Sequence, residues 1–328
     1  MSGNVYVTRR IPDRGLELLR AGCDTVDVFP GDAPPTREEL LAAVRGRDGI
    51  LCLLSDRMDA AVMDAAGPGL KGIANYAVGY DNVDVAEATV RGIPVSNTPG
   101  VLTETTADLA WALLFTAARR IAEADRFVRS GEWKGWGPMQ MLGVDVHGKT
   151  LGVVGAGRIG RAVARRAVGF GMKVLYCDMA RCPELEESCG AVRTPLDQLI
   201  EEADFISLHV PLTEQTRHLV GARELRAMKR TAVLVNTSRG PVVDERALVE
   251  ALRSGEIFAA GLDVYEDEPR LAPGLTELDN VVLAPHVGSG SRETRQKMAE
   301  MAAGSLLAML EGRRPPNCVN PQVFDVQR

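Results

Sequence analysis

An α/β fold of two doubly wound parallel-sheet units is what this sequence predicts, and three observations predict it. Short β-rich runs alternate with helical patterns along almost the whole chain. The alternation stops at Pro99-Gly100 and restarts as a second series at Leu151. At 328 residues the chain is also longer than one hydrophobic core ordinarily spans, so two domains are expected.

The first series opens with the apolar run Val5–Val7, followed by helical spacing over Ile11–Arg20. Thr36 and Glu39 have capping-box spacing and open a helix over Glu38–Val44. Strand candidates Ile50–Leu54, Ile73–Tyr76 and Ile93–Asn97 then alternate with helices near Ala60–Ala66 and Val83–Val90. After Pro99-Gly100 the apolar-rich segment Thr103–Val128 reads as one long helix, a spine between the two series. Gly131–Leu142 is irregular and carries Trp133, Trp136, Met139 and Met141. The second series has strand candidates at Leu151–Val154, Lys173–Cys177, Phe205–His209, Ala232–Val235, Phe258–Leu262 and Val281–Leu283. Arg292–Leu310 is a final long helix, and no sequence repeat or low-complexity segment interrupts the pattern. Apolar strands joined by helical crossovers require parallel sheets covered on both faces.

Composition narrows the class. Hydrophobic residues make up 45% and charged residues 25%, the profile of a globular protein. The net charge is −6 and no Lys/Arg block stands out, which argues against nucleic acid or an anionic membrane surface as a partner. The N-terminal MSGNVYVTRR lacks the apolar core of a signal peptide. The most apolar long segment, Ala107–Ala118, carries Asp108 and is too short to cross a bilayer. The cysteines Cys23, Cys52, Cys177, Cys182, Cys189 and Cys318 form no CxxC pair and no His/Cys cluster with zinc spacing. A reduced, cytoplasmic protein without a metal site is the expectation.

In parallel sheets, ligands bind at the carboxyl ends of the strands. Glycine or a polar group stands at nearly every such end in the second series. The first strand runs into Gly155-Ala156-Gly157-Arg158-Ile159-Gly160, which opens a helix over Arg161–Phe170. Gly155 suits the tight turn, Gly157 lets backbone approach a pyrophosphate, and Gly160 lets helix and strand pack closely. The helix N-terminus adds N–H groups and a positive dipole for the phosphates. Asp178, ending the next strand, accepts hydrogen bonds from the adenosine ribose of NAD and repels the 2′-phosphate of NADP. Arg181 lies within reach of such a phosphate, so NADP(H) stays open beside the favoured NAD(H). The third strand leads to Val210-Pro211, the fourth to Asn236-Thr237-Ser238-Arg239-Gly240, the fifth to Asp263 and the sixth to His286. By contrast, Gly143–Thr150 spells a literal G-x4-GK[ST] motif but runs straight into a strand. A triphosphate loop needs a strand before it and a helix after it, so this match carries no nucleotide site.

Arg239 at a strand end can fork onto a carboxylate, or pair with Asp244 or Glu245 nearby. GLDVYEDEP offers Asp263, Glu266, Asp267 and Glu268. A carboxylate on one nitrogen of His286 fixes the tautomer and favours imidazolium, leaving the other nitrogen to give or take a proton. With a nicotinamide at the same edge, these groups supply what reduction of a 2-keto acid needs. Spacing alone leaves Asp263 and Glu268 both open as the carboxylate.

The chain resembles the D-isomer-specific 2-hydroxyacid dehydrogenases, and within them the glyoxylate/hydroxypyruvate reductase branch. The carrying motifs, in family order, are NYAVGYDNVDV, NTPGVLTETTADLAWALL, VRSGEWKGW, GKTLGVVGAGRIG, HVPLTEQTRHL, LVNTSRGPVVDERALVEAL, GLDVYEDEP and NVVLAPHVGSGSRETR. The resemblance implies two Rossmann-like domains with a cleft between them. Residues 1–98 with 287–328 would bind substrate, and 99–286 would bind NAD(P). It implies Arg239, Glu268 and His286 as the catalytic set, with Glu268 the partner of His286 and Arg239 on the substrate carboxylate. Val78 and Gly79 would offer backbone N–H groups to that carboxylate. Asp263 would hold the nicotinamide carboxamide, and Arg158-Ile159 would lie on the pyrophosphate. Thr106, Val210-Pro211, Thr237-Ser238 and Gly288 would line the cofactor. The implied partners are a small 2-keto or 2-hydroxy acid and a second copy of the chain, docked around the arm Gly131–Leu142. Trp136 would either close the partner's substrate pocket or pack in the interface. Residues such as Leu53, Ser55 and Trp136 leave open another substrate, such as D-lactate or 2-ketogluconate. A corepressor-like NAD(H) sensor is the expectation from a different class. The lack of residues for a further domain after the last helix argues against the longer phosphoglycerate dehydrogenases.

Overall fold

The structure, a computed structural model, describes residues 3–325. It contains two parallel α/β sheets, as expected. The chain divides into two compact units. One runs to Leu102 and resumes at Ser289, and the other spans Thr103–Gly288.

The first unit begins β1 (Asn4–Val7), α1 (Asp13–Gly22), β2 (Thr25–Val28), α2 (Arg37–Ala43), β3 (Gly49–Cys52) and α3 (Ala60–Ala66). It continues β4 (Gly72–Asn75), α4 (Val85–Val90) and β5 (Val95–Ser96). All pairings are parallel, in the order β2-β1-β3-β4-β5. The Thr36–Glu39 capping box forms as read, with Thr36 N–H donating to Glu39 Oε2 at 2.7 Å. One sheet face packs Tyr6, Ile50 and Ile73 against Leu40, Val62 and Met63 of α2 and α3.

The second unit opens with α5 (Thr103–Ala118) and α6 (Ile121–Arg129). The single helix expected over Thr103–Val128 is therefore broken. Arg120 lies in the left-handed region at φ 53°, and its guanidinium folds onto Glu123 at 2.6 Å. Arginine carries no breaker signal, so composition gave no warning of this. Then follow β6 (Thr150–Val154), α7 (Arg158–Ala167), β7 (Lys173–Cys177), α8 (Pro183–Cys189), β8 (Val192–Arg193) and α9 (Leu196–Glu202). β9 (Phe205–Leu208), α10 (Ala222–Ala227), β10 (Val233–Asn236), α11 (Glu245–Ser254), β11 (Ala259–Leu262) and β12 (Val281–Leu283) complete the unit. The strand order is β12-β11-β10-β9-β6-β7-β8, all parallel. The order reverses at β6 and β9, the switch point where such sheets bind ligands. α5 seals one face. Trp111 Nε1 donates to the Val163 carbonyl at 3.0 Å, and a Cβ on Gly261 would sit 2.9 Å from that of Leu113.

The last helix, α12 (Arg292–Leu310), returns to the first unit and covers the other face of its sheet. A Cβ on Gly72 would come 2.8 Å from Met309, and one on Gly15 the same distance from Ala299. Small residues at these points let helix backbone sit close to α1 and the sheet. Two strands went unread in the sequence, β2 and β8. Both lie at sheet edges and carry no fully buried residue, so neither shows an apolar run.

Candidate active site

The carboxyl ends of β6, β7, β9, β10, β11 and β12 line one edge of the second sheet, and each carries a residue singled out in the sequence. After β6 the chain turns at Gly155, whose φ is +97°. A Cβ there would fall 2.7 Å from the His209 carbonyl, so only glycine fits. Gly157 caps α7 and has nothing within 4 Å of where a Cβ would stand, which leaves the N-terminal N–H groups open to a ligand. A Cβ on Gly160 would fall 1.9 Å from the Gly155 carbonyl oxygen, so the helix rests on the turn itself. Arg158 is exposed, and Ile159 packs against the core beneath. Gly143–Thr150 leads directly into β6, the geometry that excludes a triphosphate loop.

Asp178 closes this cradle. Its Oδ2 accepts the Ala156 N–H at 2.7 Å and its Oδ1 the Ala180 N–H at 3.2 Å. Arg181 turns away from it and grips Glu186 through Nε at 2.8 Å and Nη2 at 2.6 Å, where Tyr176 also donates its hydroxyl. Arg193 donates instead to the carbonyls of Asp178 and Met179, at 2.9 and 2.8 Å. At the next strand end, Val210 packs on the core and Pro211 is exposed, with its carbonyl accepting the Thr216 hydroxyl at 2.6 Å.

The loop after β10 is shaped by Asn236, which is buried and was not singled out from sequence. Its Oδ1 accepts the Ser238 N–H at 3.0 Å, and its Nδ2 donates to the Arg239 carbonyl at 2.9 Å. Thr237 beside it buries a hydroxyl that has no hydrogen-bond partner among the described residues. An orphaned buried hydroxyl is costly unless a ligand satisfies it. Arg239 donates from Nη1 to the Ser238 carbonyl at 2.8 Å. Gly240 then meets the next loop. A Cβ there would fall 1.8 Å from the Tyr265 carbonyl, so no larger residue fits.

The ends of β11 and β12 bring His286 and Glu268 together. His286 Nδ1 lies 2.9 Å from Glu268 Oε2. Glu268 Oε1 accepts the Tyr265 N–H at 3.0 Å, which aims the carboxylate. Asp263, at 1% exposure, is not the partner of the ring. It accepts the N–H groups of Val287 and Gly288, both at 2.7 Å, and its carbonyl accepts the His286 N–H at 2.9 Å. The histidine backbone is thereby gripped on both sides. It needs that grip, because His286 sits at φ 54°, a left-handed conformation that costs about 1 kcal/mol or more outside glycine. Tyr265, also missed in the sequence, donates its hydroxyl to the Ala284 carbonyl at 2.9 Å. A Cβ on Gly288 would lie 3.1 Å from Asp263 Oδ2 and 3.3 Å from Thr106, so Thr106 and Gly288 are neighbours.

The electrostatics separate the two acids. Burial pushes the Glu268 carboxyl up, but the His286 hydrogen bond and charge, the Tyr265 N–H and Arg239 outweigh it, and the group lies below its ordinary value. Glu268 is therefore the carboxylate that stays ionised beside the ring. Asp263 is raised by burial and by Glu268, against the pull of the Val287 and Gly288 N–H groups and His286.

Val78 and Gly79 belong to the first unit, at the end of β4, where Asn97 and Asn75 each hold one of their carbonyls at 2.8 Å. Trp136 is 85% exposed in the segment between α6 and β6. Among the described residues, no group of three or more His, Cys, Asp or Glu side chains is arranged to hold a metal, and no helix is long and apolar enough to cross a membrane.

This geometry has counterparts in known proteins. The family model described as "D-isomer specific 2-hydroxyacid dehydrogenase, NAD binding domain" matches residues 111–288. A glyoxylate reductase of Korarchaeum cryptofilum is 56% identical over 100% of this chain and 98% of its own length. A crystal structure of a protein from Thermus thermophilus superposes with a TM-score of 0.90 at 50% identity, covering 97% of this chain and all of that one. An NADPH-dependent glyoxylate/hydroxypyruvate reductase of Sinorhizobium meliloti, in complex with NADP and malonate, superposes with a TM-score of 0.85 at 36% identity, covering 98% of each chain.

Proposed function

We infer the catalytic arrangement from one premise: this chain belongs to the D-isomer specific 2-hydroxyacid dehydrogenase family. It is an NAD(P)-dependent oxidoreductase of the glyoxylate reductase branch, reducing glyoxylate or hydroxypyruvate to the 2-hydroxy acid. The observation that carries the residue roles is the His286 Nδ1 to Glu268 Oε2 contact of 2.9 Å at the carboxyl edge of the sheet.

With Nδ1 held by an ionised carboxylate, Nε2 of His286 is left to carry the proton that is transferred. In the reducing direction Nε2 gives its proton to the ketone oxygen, and in the reverse direction it takes the hydroxyl proton. Arg239 forks onto the substrate carboxylate, which orients the neighbouring carbonyl. A bound nicotinamide dinucleotide supplies the hydride. The residues present fit such a group: the turn at Gly155, the open Gly157, and the orphaned Thr237 hydroxyl. Gly155–Gly160 and the start of α7, with Arg158 and Ile159, would hold the pyrophosphate. Asp178 would take the ribose hydroxyls, and Thr106, Val210, Pro211, Thr237, Ser238 and Gly288 would line the rest. Asp263 already anchors the His286 loop, and its remaining lone pairs would receive the carboxamide.

Two finer readings follow. NADH is preferred over NADPH, because Asp178 repels a 2′-phosphate while Arg181 is committed to Glu186. The chain forms a homodimer, supported by the exposed apolar residues Trp133, Trp136, Met139 and Leu142 in one segment and Ile121 and Val128 on the adjacent α6. Light scattering in solution tests the second.

The experiment for the site is NADH and NADPH oxidation with glyoxylate and hydroxypyruvate, in the wild type, His286→Ala and Glu268→Gln. His286→Ala is expected to lower kcat by about 100- to 10,000-fold. Wild-type turnover in that variant sinks the assignment, and equal kcat/KM for both cofactors sinks the NADH preference.

A further inference from the structure

Glu245 is a buried acid that the chemistry above does not use. It is the first residue of α11, is 5% exposed, and points at the loop that carries Glu268. Its Oε2 accepts the Glu266 N–H at 2.7 Å and its Oε1 the Ala272 N–H at 2.8 Å. One carboxylate thus gathers both ends of the segment 266–272, and Glu268 lies between them. The tie is returned, since Glu266 Oε2 accepts the Glu245 N–H at 3.4 Å and Glu266 Oε1 pairs with His218 Nε2 at 2.6 Å. On the other side, the Tyr265 backbone rests on Gly240, where a Cβ would fall 1.8 Å away.

A loop needs such fastening if its middle residue must hold one geometry. Glu268 reaches His286 through a single 2.9 Å contact and is itself aimed by a single backbone N–H, that of Tyr265. Asp267, Pro269 and Arg270 on either side of it are exposed, and Arg270 pairs with Asp267 at 2.7 Å. Fastening the ends of the loop to the rigid start of α11 removes freedom that would let Glu268 swing into water. Placement errors of this kind are costly in catalysis.

We propose that Glu245 is a positioning residue for the reaction: it clamps the 266–272 loop so that Glu268 stays on His286. The proposal rests on the reading of Glu268 and His286 given above. Its consequence is specific. If the clamp opens, His286 loses the carboxylate that orients its ring, and the loss falls on kcat.

The test is Glu245→Gln, which keeps the shape but sets an amide N–H against one of the two backbone donors. kcat for glyoxylate is expected to fall roughly tenfold or more, with KM little changed. NADH binding, followed by fluorescence, is expected to be unchanged. In a Glu268→Gln background the same substitution is expected to add no further loss of kcat. A loss carried by KM with kcat kept, or an additive loss in the double variant, overturns the proposal and leaves Glu245 a structural residue only. If His286→Ala keeps its turnover, the underlying reading fails instead, so the two failures are distinguishable. Should Glu245→Gln fold poorly, Glu245→Asp, which keeps the charge but withdraws it by one methylene, carries the same expectations and the same refutations.

Discussion

At the scale of single residues, the two histidines at strand ends do opposite work. His286 has its Nδ1 on the Glu268 carboxylate at 2.9 Å. His209, after β9, has its Nε2 on the Ser207 hydroxyl at 2.8 Å, while its Nδ1 is buried without a partner among the described residues. Burial pushes its imidazole down to about 3. An unfolded chain takes up this proton near pH 6.5, whereas the folded chain waits until about 3. The stabilising contribution is therefore complete above 6.5 and is lost progressively as pH falls toward 3. Urea unfolding between these limits is expected to show stability falling by up to about 1.4 kcal/mol per pH unit. His209→Gln is expected to flatten that slope, and an unchanged slope refutes the attribution.

At the scale of elements, the site depends on how tightly α7 rests on the turn after β6. A Cβ on Gly160 would overlap the Gly155 carbonyl oxygen, so Gly160→Ala has to push the helix off the turn. The N–H groups that α7 would offer to a pyrophosphate move with it. Gly160→Ala is expected to weaken NADH binding about tenfold or more, and to cost about 1–3 kcal/mol of stability from overpacking. Fluorescence titration and urea melts check both, and wild-type affinity in the variant removes this account of the turn. Elements also show where sequence patterns stop informing. Glycine spacing and buried apolar strands were legible because each has a local cause. The break at Arg120 and the short edge strands β2 and β8 were not, because no local residue signals them. The break is held by an Arg120–Glu123 pair, and the edge strands by pairing with their neighbours.

At the scale of the whole molecule, the chain's last helix completes its first unit. Leu306 on α12 is fully buried and sits against Gly49 of β3, which lies far from it in sequence. Leu306→Ala is expected to cost about 2–5 kcal/mol. Urea unfolding of the variant checks this, and wild-type stability contradicts it.

The sequence by itself determined the α/β class, the row of polar residues at strand ends, the glycine turn and the family. These follow from residue types acting on their immediate neighbours: periodicity, φ permission at glycine, and a carboxylate or imidazole placed where a strand stops. The tertiary structure alone decided which neighbours meet. It put Asp263 under the His286 loop, Arg181 on Glu186 rather than beside Asp178, and Glu245 and Tyr265 behind Glu268. The Asp263–Val287 and Glu245–Ala272 hydrogen bonds join residues 24 and 27 positions apart, and such partners meet only once the sheet has brought its strand ends to one edge.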